Sequence, residues 1–345
     1  HQRGGSIMLN FYNSGYKEIL ITGGTGSFGK AMVSFIRESS PKSVIRVFSR
    51  DEDKHRMMKS VYGDDHITYI IGDIRDRDKL IRATRGCQLI IHGAAMKQIP
   101  SGESDPDEHI STNIIGTMNV AEAALFHGVK RAVFLSTDKS CSPITLYGGT
   151  KFVAERYWIN CNNFAPNTTF VATRYGNVAN SRGSVIPLFI DLISRGMELT
   201  VTDLNSTRFF MTLSEATSLV AAAVVYGERG DLFIPKLPAF CMHDLVDAIQ
   251  EIHGDTGVNV IGLRQSEKLH EDLMTSDEIK NSMLVYRHFS ELNDIYAINY
   301  NHPRDTVLPR SGYNKPETYT SNSWDFVKRL YIGDLRSLLE DIKPC

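Results

Sequence analysis

Cysteine is scarce in this chain of 345 residues, and none of its five cysteines forms a Cys-x-x-Cys pair. An odd number of thiols without that spacing is typical of reduced cysteines, so we expect a cytoplasmic protein without a disulfide framework. The eleven histidines are scattered and no two of them have the spacing of metal ligands. The sequence therefore predicts no metal site.

The chain also lacks a strong excess of charge and any long apolar run. Its formal net charge is -2, with 23% charged and 42% hydrophobic residues. This balance gives no reason to expect a nucleic acid or an anionic membrane as partner. The apolar run over residues 219–226 is far too short to span a bilayer. We expect an ordinary globular protein that does not insert into membranes.

A pattern typical of dinucleotide binding stands near the N-terminus. A short apolar strand over residues 18–21 leads into Thr-Gly-Gly-Thr-Gly-Ser-Phe-Gly, and a helix pattern follows over residues 30–37. Glycines in such a turn let the backbone approach a pyrophosphate, and the helix N-terminus favours negative charge. A plain glycine-rich turn is the alternative, but the order of strand, glycines and helix favours a cofactor site. Its candidate residues are Gly23, Thr25, Gly26, Ser27, Phe28 and Gly29.

The end of the second predicted strand bears on the choice of cofactor. Residues 44–48 are followed by Ser49, Arg50 and Asp51, about twenty residues beyond the glycine turn. A hydroxyl and a guanidinium suit a ribose 2′-phosphate, whereas an acidic residue suits a free 2′-hydroxyl. The sequence therefore favours NADP, and Asp51 keeps NAD as the minority interpretation.

Two further strand ends carry candidate cofactor residues. Asp73 and Ile74 follow the strand over residues 67–71, and Asp73 could accept from an adenine amino group or cap the next helix. Ala94 and Ala95 follow the strand over residues 89–91, where small side chains would let the cofactor pass. Lys97 could reach a phosphate or a sugar hydroxyl.

A cluster of acid, amine and phenol groups follows the fifth strand, residues 132–135. Thr137, Asp138 and Lys139 come directly after it, and Tyr147 and Lys151 share one face of the next helix because they are four residues apart. A lysine there can lower the pKa of a phenol and make it a base near neutral pH. The alternative is a helix-capping Asp138 and a solvated Lys151. Their position at the carboxyl end of a parallel strand favours a catalytic cluster.

The alternation of strands and helices predicts an α/β fold. We expect a Rossmann-type doubly wound parallel sheet over residues 8–176, with a later return of the chain around residues 205–228. Residues 177–345 would form a smaller, interleaved α/β substrate domain with a C-terminal extension. Arg182, Arg208 and Arg264 lie on or beside predicted loops, where each is a surface charge or part of a diphosphate site. The polar stretch over residues 301–320 would be a long loop that wraps a partner subunit or moves freely.

These motifs resemble those of the extended short-chain dehydrogenase/reductases that remodel nucleotide sugars. The runs over residues 22–29, 48–52, 94–98, 136–139, 173–178 and 181–187 are most similar to the inverting UDP-N-acetylglucosamine 4,6-dehydratases of capsule and O-antigen synthesis. The pair Asp138 and Lys139 distinguishes the inverting dehydratases from their relatives, because the retaining 4,6-dehydratases have Asp-Glu at these positions and the 4-epimerases lack the pair.

The resemblance implies a mechanism and a set of partners. Tyr147, helped by Lys151, would take the C4 hydroxyl proton, Lys139 would be the base at C5, and Asp138 would protonate the departing C6 hydroxyl. NADP would stay tightly bound and be recycled, the substrate would be UDP-N-acetylglucosamine, and the protein would be a homo-oligomer, possibly a hexamer. A 4-epimerase, a retaining dehydratase and an inactive NADP-binding scaffold remain as alternatives. The substrate contacts would be Lys97, Asn177, Arg182, Val185, Thr200, Arg208, Arg264 and Glu267.

Overall fold

The computed structural model describes residues 7–179, 184–286, 292, 294–300 and 318–340. In the first half, strands of four to six mostly buried residues alternate with helices, as the sequence predicts. The elements are α1 Ile7–Asn13, β1 Glu18–Thr22, α2 Ser27–Ser39, β2 Val44–Ser49, α3 Glu52–Tyr62, β3 Ile67–Ile71, α4 Arg77–Thr84, β4 Leu89–His92, α5 Ile99–Ser104, α6 Pro106–Ile110, α7 Gly116–His127, β5 Arg131–Leu135, α8 Leu146–Asn160 and β6 Thr169–Thr173. A π-helical turn, Ser111–Ile115, joins α6 to α7.

The second half contains shorter strands. Its elements are β7 Asn177–Val178, α9 Val185–Ser194, β8 Leu199–Val201, β9 Thr207–Met211, α10 Leu213–Tyr226, β10 Asp231–Pro235, β11 Ala239–Cys241, α11 Met242–His253, β12 Val258–Val260, β13 Asp272–Met274, α12 Ser276–Asn281, β14 Met283–Tyr286, β15 Ile295–Asn299, β16 Tyr319–Thr320, β17 Arg329–Leu330 and α13 Ile332–Leu339.

A nine-stranded sheet organises the molecule, with the strand order β14-β15-β10-β6-β5-β4-β1-β2-β3. The first six strands and β10 are parallel, and β15 and β14 add antiparallel pairs at one edge. The order 3-2-1-4-5-6 is that of the Rossmann fold, which confirms the predicted fold class. Helices α1, α2 and α10 cover one face of this sheet, and α4, α7 and α8 cover the other. The carboxyl ends of the parallel strands therefore meet at one edge, where a ligand site is expected.

The smaller second domain has its own sheet and core. Strands β17, β11, β9 and β7 form a four-stranded sheet, and β8 pairs with β12. Residues from α9, β8, α11 and α13 build an apolar cluster separate from the main core. None of the helices in the described part of the chain has the length and apolar character needed to cross a membrane.

The division between the domains differs from the prediction at two points. The predicted return over residues 205–228 is divided, because β9 joins the smaller sheet while α10 packs on the main sheet. The chain also returns to the main sheet in β10, β14 and β15, which the sequence analysis did not predict. Alternation of hydrophobic residues reports that a strand is buried, but it does not report which sheet the strand joins.

Candidate active site

The glycine turn after β1 is shaped to receive a ligand backbone. Gly23 has a φ of +68°, and a Cβ there would lie 2.8 Å from the backbone nitrogen of Ala94. A Cβ on Gly29 would lie 2.4 Å from the carbonyl oxygen of Gly24. Helix α2 begins at Ser27 behind the N-cap Gly26, which has no side chain to accept from the first amide groups. These features fit the pyrophosphate of a dinucleotide cofactor.

A cavity of about 980 Å³ extends from this turn along the carboxyl edge of the sheet. It brings the glycine turn, the end of β2, the loop after β4 and the catalytic cluster together at one site. The predicted residues that line it are Gly23, Thr25, Gly26, Ser27, Phe28, Gly29, Ser49, Arg50, Ile74, Ala94, Ala95, Lys97, Thr137, Asp138, Lys139, Tyr147, Lys151 and Asn177. Residues that the sequence analysis did not single out also line it, among them Lys54, Gln98, Tyr175, Pro187 and Leu213.

Polar groups at the end of β2 surround one part of this cavity. The hydroxyl of Ser49 lies 2.8 Å from that of Thr25 and 2.9 Å from Nε2 of His55. Arg50 and Lys54 also line the cavity, and the side chain of Arg50 is about half exposed. The carboxylate of Asp51 caps helix α3 by accepting from the backbone nitrogen of Lys54, which gives it a structural role.

Asp73 does not cap the helix after β3. The N-cap of α4 is Asp76, whose carboxylate accepts from the backbone nitrogen of Lys79, so that part of the interpretation is wrong. Asp73 instead accepts from the guanidinium and backbone nitrogen of Arg75, and it lies 3.6 Å from Arg50. These cations and hydrogen bonds lower the pKa of Asp73 against the effect of its burial. Asp73 lines a small surface pocket that shares Arg50 and Gly72 with the main cavity.

The catalytic turn lies directly after β5 as a single turn of 3₁₀ helix, Asp138–Ser140. The Nζ atom of Lys139 lies 3.1 Å from Oδ1 of Asp138, and Thr137 donates a hydrogen bond of 2.9 Å to the same oxygen. Asp138 is 1% exposed, and burial raises its pKa even though the ammonium of Lys139 opposes that shift. The Lys139 ammonium also lies 3.5 Å from Oδ1 of Asn177. The turn thus presents an acid and an amine in one ion pair at the cavity wall.

Sequence reasoning missed a second carboxylate at this pair. Oε1 of Glu271 lies 3.4 Å from Nζ of Lys139, and the residue is 4% exposed. Burial alone would lower the pKa of Lys139, but Asp138 and Glu271 together raise it above its ordinary value. The sequence offered a weak signal, because Glu271 belongs to a mostly charged or titratable run over residues 267–272 that leads into β13.

Tyr147 and Lys151 line the cavity on the first turns of α8. The ammonium of Lys151 donates to the carbonyl oxygen of Leu135 at 2.6 Å and lies 3.9 Å from the ring centroid of Phe134. Burial lowers the pKa of Lys151 to about 7 and raises that of Tyr147 to about 12. The cation that favours the phenolate is Lys139. Lys151 is not among the groups that shift the pKa of this phenol, so its support of the phenolate stays a prediction.

Buried polar contacts hold the catalytic turn from behind. The hydroxyl of Ser140 donates to Glu155, and Glu155 pairs with the fully buried guanidinium of Arg174. Arg174 also pairs with Glu278 at 2.9 Å, which ties α8 to α12. Gly148 lets α8 approach the turn, because a Cβ there would lie 2.2 Å from the carbonyl oxygen of Lys139. The turn is thus fixed by packing and by charge from both halves of the chain.

The predicted substrate residues divide into two groups. Lys97 and Asn177 line the cavity, whereas its wall, as formed by the described residues, does not include Val185, Thr200, Arg208, Arg264 or Glu267. Arg208 is 8% exposed and pairs with Glu267 at 3.3 Å, and Glu267 also accepts from Thr202. Val185 begins α9 beside Pro187, Thr200 lies in β8, and Arg264 is exposed. Arg182 lies outside the described residues.

The His, Cys, Asp and Glu side chains of the described residues do not form a metal site. In the described segments no group of three or more His, Cys, Asp or Glu side chains could hold a metal ion. The four cysteines within those segments are buried and free. His92 is also buried, between the hydroxyls of Thr22 and Thr117, and burial lowers its pKa to about 3.

Comparison with known proteins identifies the family. The family model for polysaccharide biosynthesis proteins matches residues 19–292. This chain belongs to that family. One relative in the family, a UDP-N-acetylglucosamine 4,6-dehydratase (inverting) of Campylobacter jejuni, is 43% identical over 285 residues, 82% of each chain. Another, named UDP-glucose 4-epimerase, of Rickettsia bellii, is 38% identical over 94% of this chain and 95% of its own. The family resemblance predicted from the motifs is confirmed.

Solved structures support the same grouping. Pen from Bacillus thuringiensis has a TM-score of 0.84 and 36% identity, covering 94% of this chain and 98% of its own. A dTDP-glucose 4,6-dehydratase of Streptomyces venezuelae, solved with NAD and TYD, has a TM-score of 0.67 at 20% identity. It covers 73% of this chain and 86% of its own, and it confirms the fold.

Proposed function

We propose that this chain is a UDP-N-acetylglucosamine 4,6-dehydratase that inverts C5. The product would be UDP-2-acetamido-2,6-dideoxy-β-L-arabino-hex-4-ulose, a precursor for surface polysaccharide. The observation that carries the proposal is the ion pair between the buried carboxylate of Asp138 and the partly exposed ammonium of Lys139 at the cavity wall, 3.1 Å apart. Elimination of water across C5 and C6 needs a base that takes the C5 proton and an acid that protonates the departing C6 hydroxyl. Lys139 and Asp138 can supply these two groups. The name of the 43% identical Campylobacter relative supports the same activity.

Each catalytic side chain has a defined task in this proposal. Tyr147 accepts the proton of the C4 hydroxyl, and Lys139 lies close enough to favour its phenolate. Lys139 then takes the C5 proton, which the C4 ketone has made acidic, while Asp138 protonates the departing C6 hydroxyl. The bound nicotinamide would accept a hydride from C4 and return it to C6. Thr137 holds Asp138 in place by its hydrogen bond. A proton from solvent, added to C5 on the face opposite Lys139, gives the inverted product.

The substrate nucleotide would bind beyond this pair. We assign the sugar to Lys97 and Asn177, which line the cavity. We keep Arg182, Arg208 and Arg264 as diphosphate ligands on the family resemblance, because three guanidiniums would match two phosphates. Arg208 and Arg264 lie outside the cavity wall formed by the described residues, so this role requires the site to extend beyond that wall. The remaining proposed contacts are Val185, Thr200 and Glu267.

We propose NADP as the tightly bound, recycled cofactor. Ser49, Arg50 and Lys54 bring a hydroxyl and two cations to the cavity wall at the end of β2, which supports a site for a ribose 2′-phosphate. Asp51 lines the same wall, where it caps α3 and pairs with Lys54. Replacing Arg50 by alanine should weaken NADP binding about tenfold or more and leave NAD binding nearly unchanged, because only NADP carries the phosphate. Titration of both cofactors by calorimetry measures the two constants. Equal weakening for both cofactors would contradict the assignment.

A 4-epimerase is the second candidate function. Relatives with that name match 94% of the chain, whereas the Campylobacter relative matches 82% of it. An epimerase only removes and returns a hydride at C4, so it needs no acid and base at C5 and C6. The buried charge of Asp138, paired with Lys139, would then be costly and without use. A retaining dehydratase and an inactive scaffold are separated by the same experiment.

The deciding experiment is incubation of the purified protein with UDP-N-acetylglucosamine in deuterated water, followed by NMR. A 6-deoxy-4-keto product with deuterium at C5 and inverted configuration is expected. Retained configuration at C5 would indicate a retaining dehydratase, and a 4-epimer with its C6 hydroxyl intact would indicate an epimerase. Absence of turnover with bound cofactor would favour a scaffold.

We also propose a cytoplasmic homo-oligomer, up to a hexamer. Large apolar side chains on α7 and α8 face solvent in the single chain, including Phe126, Phe152 and Val153. Exposed apolar patches often mark contacts between subunits. Sedimentation velocity at several protein concentrations measures the assembly directly, and a monomer throughout would overturn this assignment.

A further inference from the structure

Glu271 reaches the catalytic pair from the second half of the chain. It directly precedes β13, its backbone nitrogen lies 2.9 Å from the hydroxyl of Ser321, and its carbonyl oxygen accepts from the Ser321 nitrogen at 2.8 Å. Strand β16, just before Ser321, pairs with β13. Two segments far apart in sequence therefore hold the Glu271 carboxylate behind the ammonium of Lys139.

Lys139 consequently stands between two carboxylates. Its Nζ atom lies 3.1 Å from Asp138 and 3.4 Å from Glu271, and both carboxylate side chains are nearly inaccessible to solvent. The other charged or titratable groups that face this cluster are Tyr147 from α8, Arg208 from β9, and Lys268 from the loop before β13. The three cations around Glu271 lower its pKa although it is buried, so its carboxylate is ionised.

The number of protons on this cluster matches the proposed chemistry. At rest, the ammonium and two carboxylates carry a net charge of -1. Transfer of one proton from Nζ of Lys139 to Oδ1 of Asp138 gives an amine and a carboxylic acid, and the net charge stays -1. The amine then takes the C5 proton, the C5–H electrons form the C5–C6 double bond, and Asp138 gives its proton to the leaving hydroxyl, which departs as water. This step restores the ammonium and the carboxylate, so the pair needs no proton from solvent.

We propose that Glu271 is a positioning residue that keeps one transferable proton on the pair of Asp138 and Lys139 during elimination. This inference rests on the proposed dehydration and adds the charge that sets its working pH. A fixed negative charge beside two titratable groups favours the protonated form of each. Glu271 therefore raises the pKa of both Asp138 and Lys139. The pH range in which the pair holds one proton lies higher than it would without Glu271.

Glu271→Gln tests this role because it removes the charge and keeps the size of the side chain. Both limbs of the pH profile of kcat should move to lower pH by about one unit or more, since each titrating group loses a carboxylate neighbour. The profile is measured with UDP-N-acetylglucosamine and with the same sugar deuterated at C5. The isotope effect separates the limb of C5 abstraction from that of the Tyr147 phenol. Glu271→Asp retains the charge and should restore most of the wild-type profile.

Asp272→Asn is the matched control. Asp272 is the next residue, its side chain is 25% exposed, and it pairs with Lys268 rather than with Lys139. Its profile should stay in place. If the profile of Glu271→Gln coincides with that of the wild type, or if Glu271→Asp moves as far as Glu271→Gln, the inference is wrong. If the wild-type protein itself forms no 4-keto product, the proposed function fails instead, so the two failures are distinguishable. Should Glu271→Gln not fold, Glu271→Met removes the same charge at similar size, and a profile that coincides with that of the wild type would equally overturn the inference.

Discussion

Two adjacent glycines at the start of α8 allow a direct test of how the catalytic turn is positioned. A Cβ at Gly148 would lie 2.2 Å from the carbonyl oxygen of Lys139, whereas a Cβ at Gly149 would meet no atom within 4 Å. The contact at residue 148 must open by about 1.2 Å to reach the 3.4 Å of ordinary van der Waals distance. Neither glycine has a positive φ, so alanine fits the helical backbone at both positions.

We expect Gly148→Ala to reduce kcat about 100-fold, because a shift of about 1 Å in a catalytic group costs roughly that factor. Overpacking would cost about 1–3 kcal/mol, partly offset by a gain of up to about 1 kcal/mol in helix propensity. Gly149→Ala has only the gain, so it should stabilise the protein by up to about 1 kcal/mol.

The rate constant kcat and the free energy of unfolding can be measured on the same protein preparations. Product formation from UDP-N-acetylglucosamine gives kcat, and urea unfolding gives the free energy of unfolding. Cofactor content, determined after denaturation, shows whether the glycine turn at the other end of the cavity is intact. Full activity of Gly148→Ala with unchanged cofactor content would refute the claim that close packing of α8 on the Lys139 carbonyl fixes the turn.

Two further predictions concern charge. Lys139→Ala should abolish dehydration. The cofactor should remain bound, because its pyrophosphate site is the glycine turn and Lys139 is not part of that turn. If the variant formed the 4-keto product at the wild-type rate, the role of Lys139 as base would be contradicted. Arg174→Met should lower the free energy of unfolding by about 3–5 kcal/mol, because it leaves two buried carboxylates without their cation. The control Arg195→Met removes an exposed ion pair with Asp191 on α9 and should change the free energy of unfolding, measured with urea, by less than about 1 kcal/mol. If both variants lost the same free energy of unfolding, burial of the Arg174 ion pairs would not explain their effect.

The sequence was most informative where structure depends on local pattern. The predicted strand over residues 67–71 coincides with β3, because a short apolar run bounded by polar residues leaves little freedom in its limits. The position of Asp138 and Lys139 at the cavity was also predictable, since the carboxyl ends of parallel strands share one edge of a sheet. Their roles in the reaction remain proposals.

Contacts between distant segments were not predictable in the same way. Nothing in the spacing of Tyr147 and Lys151 shows that the lysine bonds to the carbonyl of Leu135. Arg208 and Arg264 look alike in sequence, yet one is buried against Glu267 and the other is exposed. A side chain's partner depends on which elements pack together, and a single sequence carries little information about that packing.

The charges at residues 139 and 271 are coupled by geometry, and this limits which residues can occupy either position. With Lys139, the cluster of Asp138, Lys139 and Glu271 has one cation between two carboxylates. A glutamate at position 139 would place three carboxylates in a site where two are already buried, and the repulsion and desolvation would force at least one of them to be protonated. The acidic residue that resemblance assigns to retaining dehydratases therefore requires a different partner at the position of Glu271. A substitution of Lys139 by glutamate alone would therefore leave the carboxylates of Asp138 and Glu271 without their shared cation.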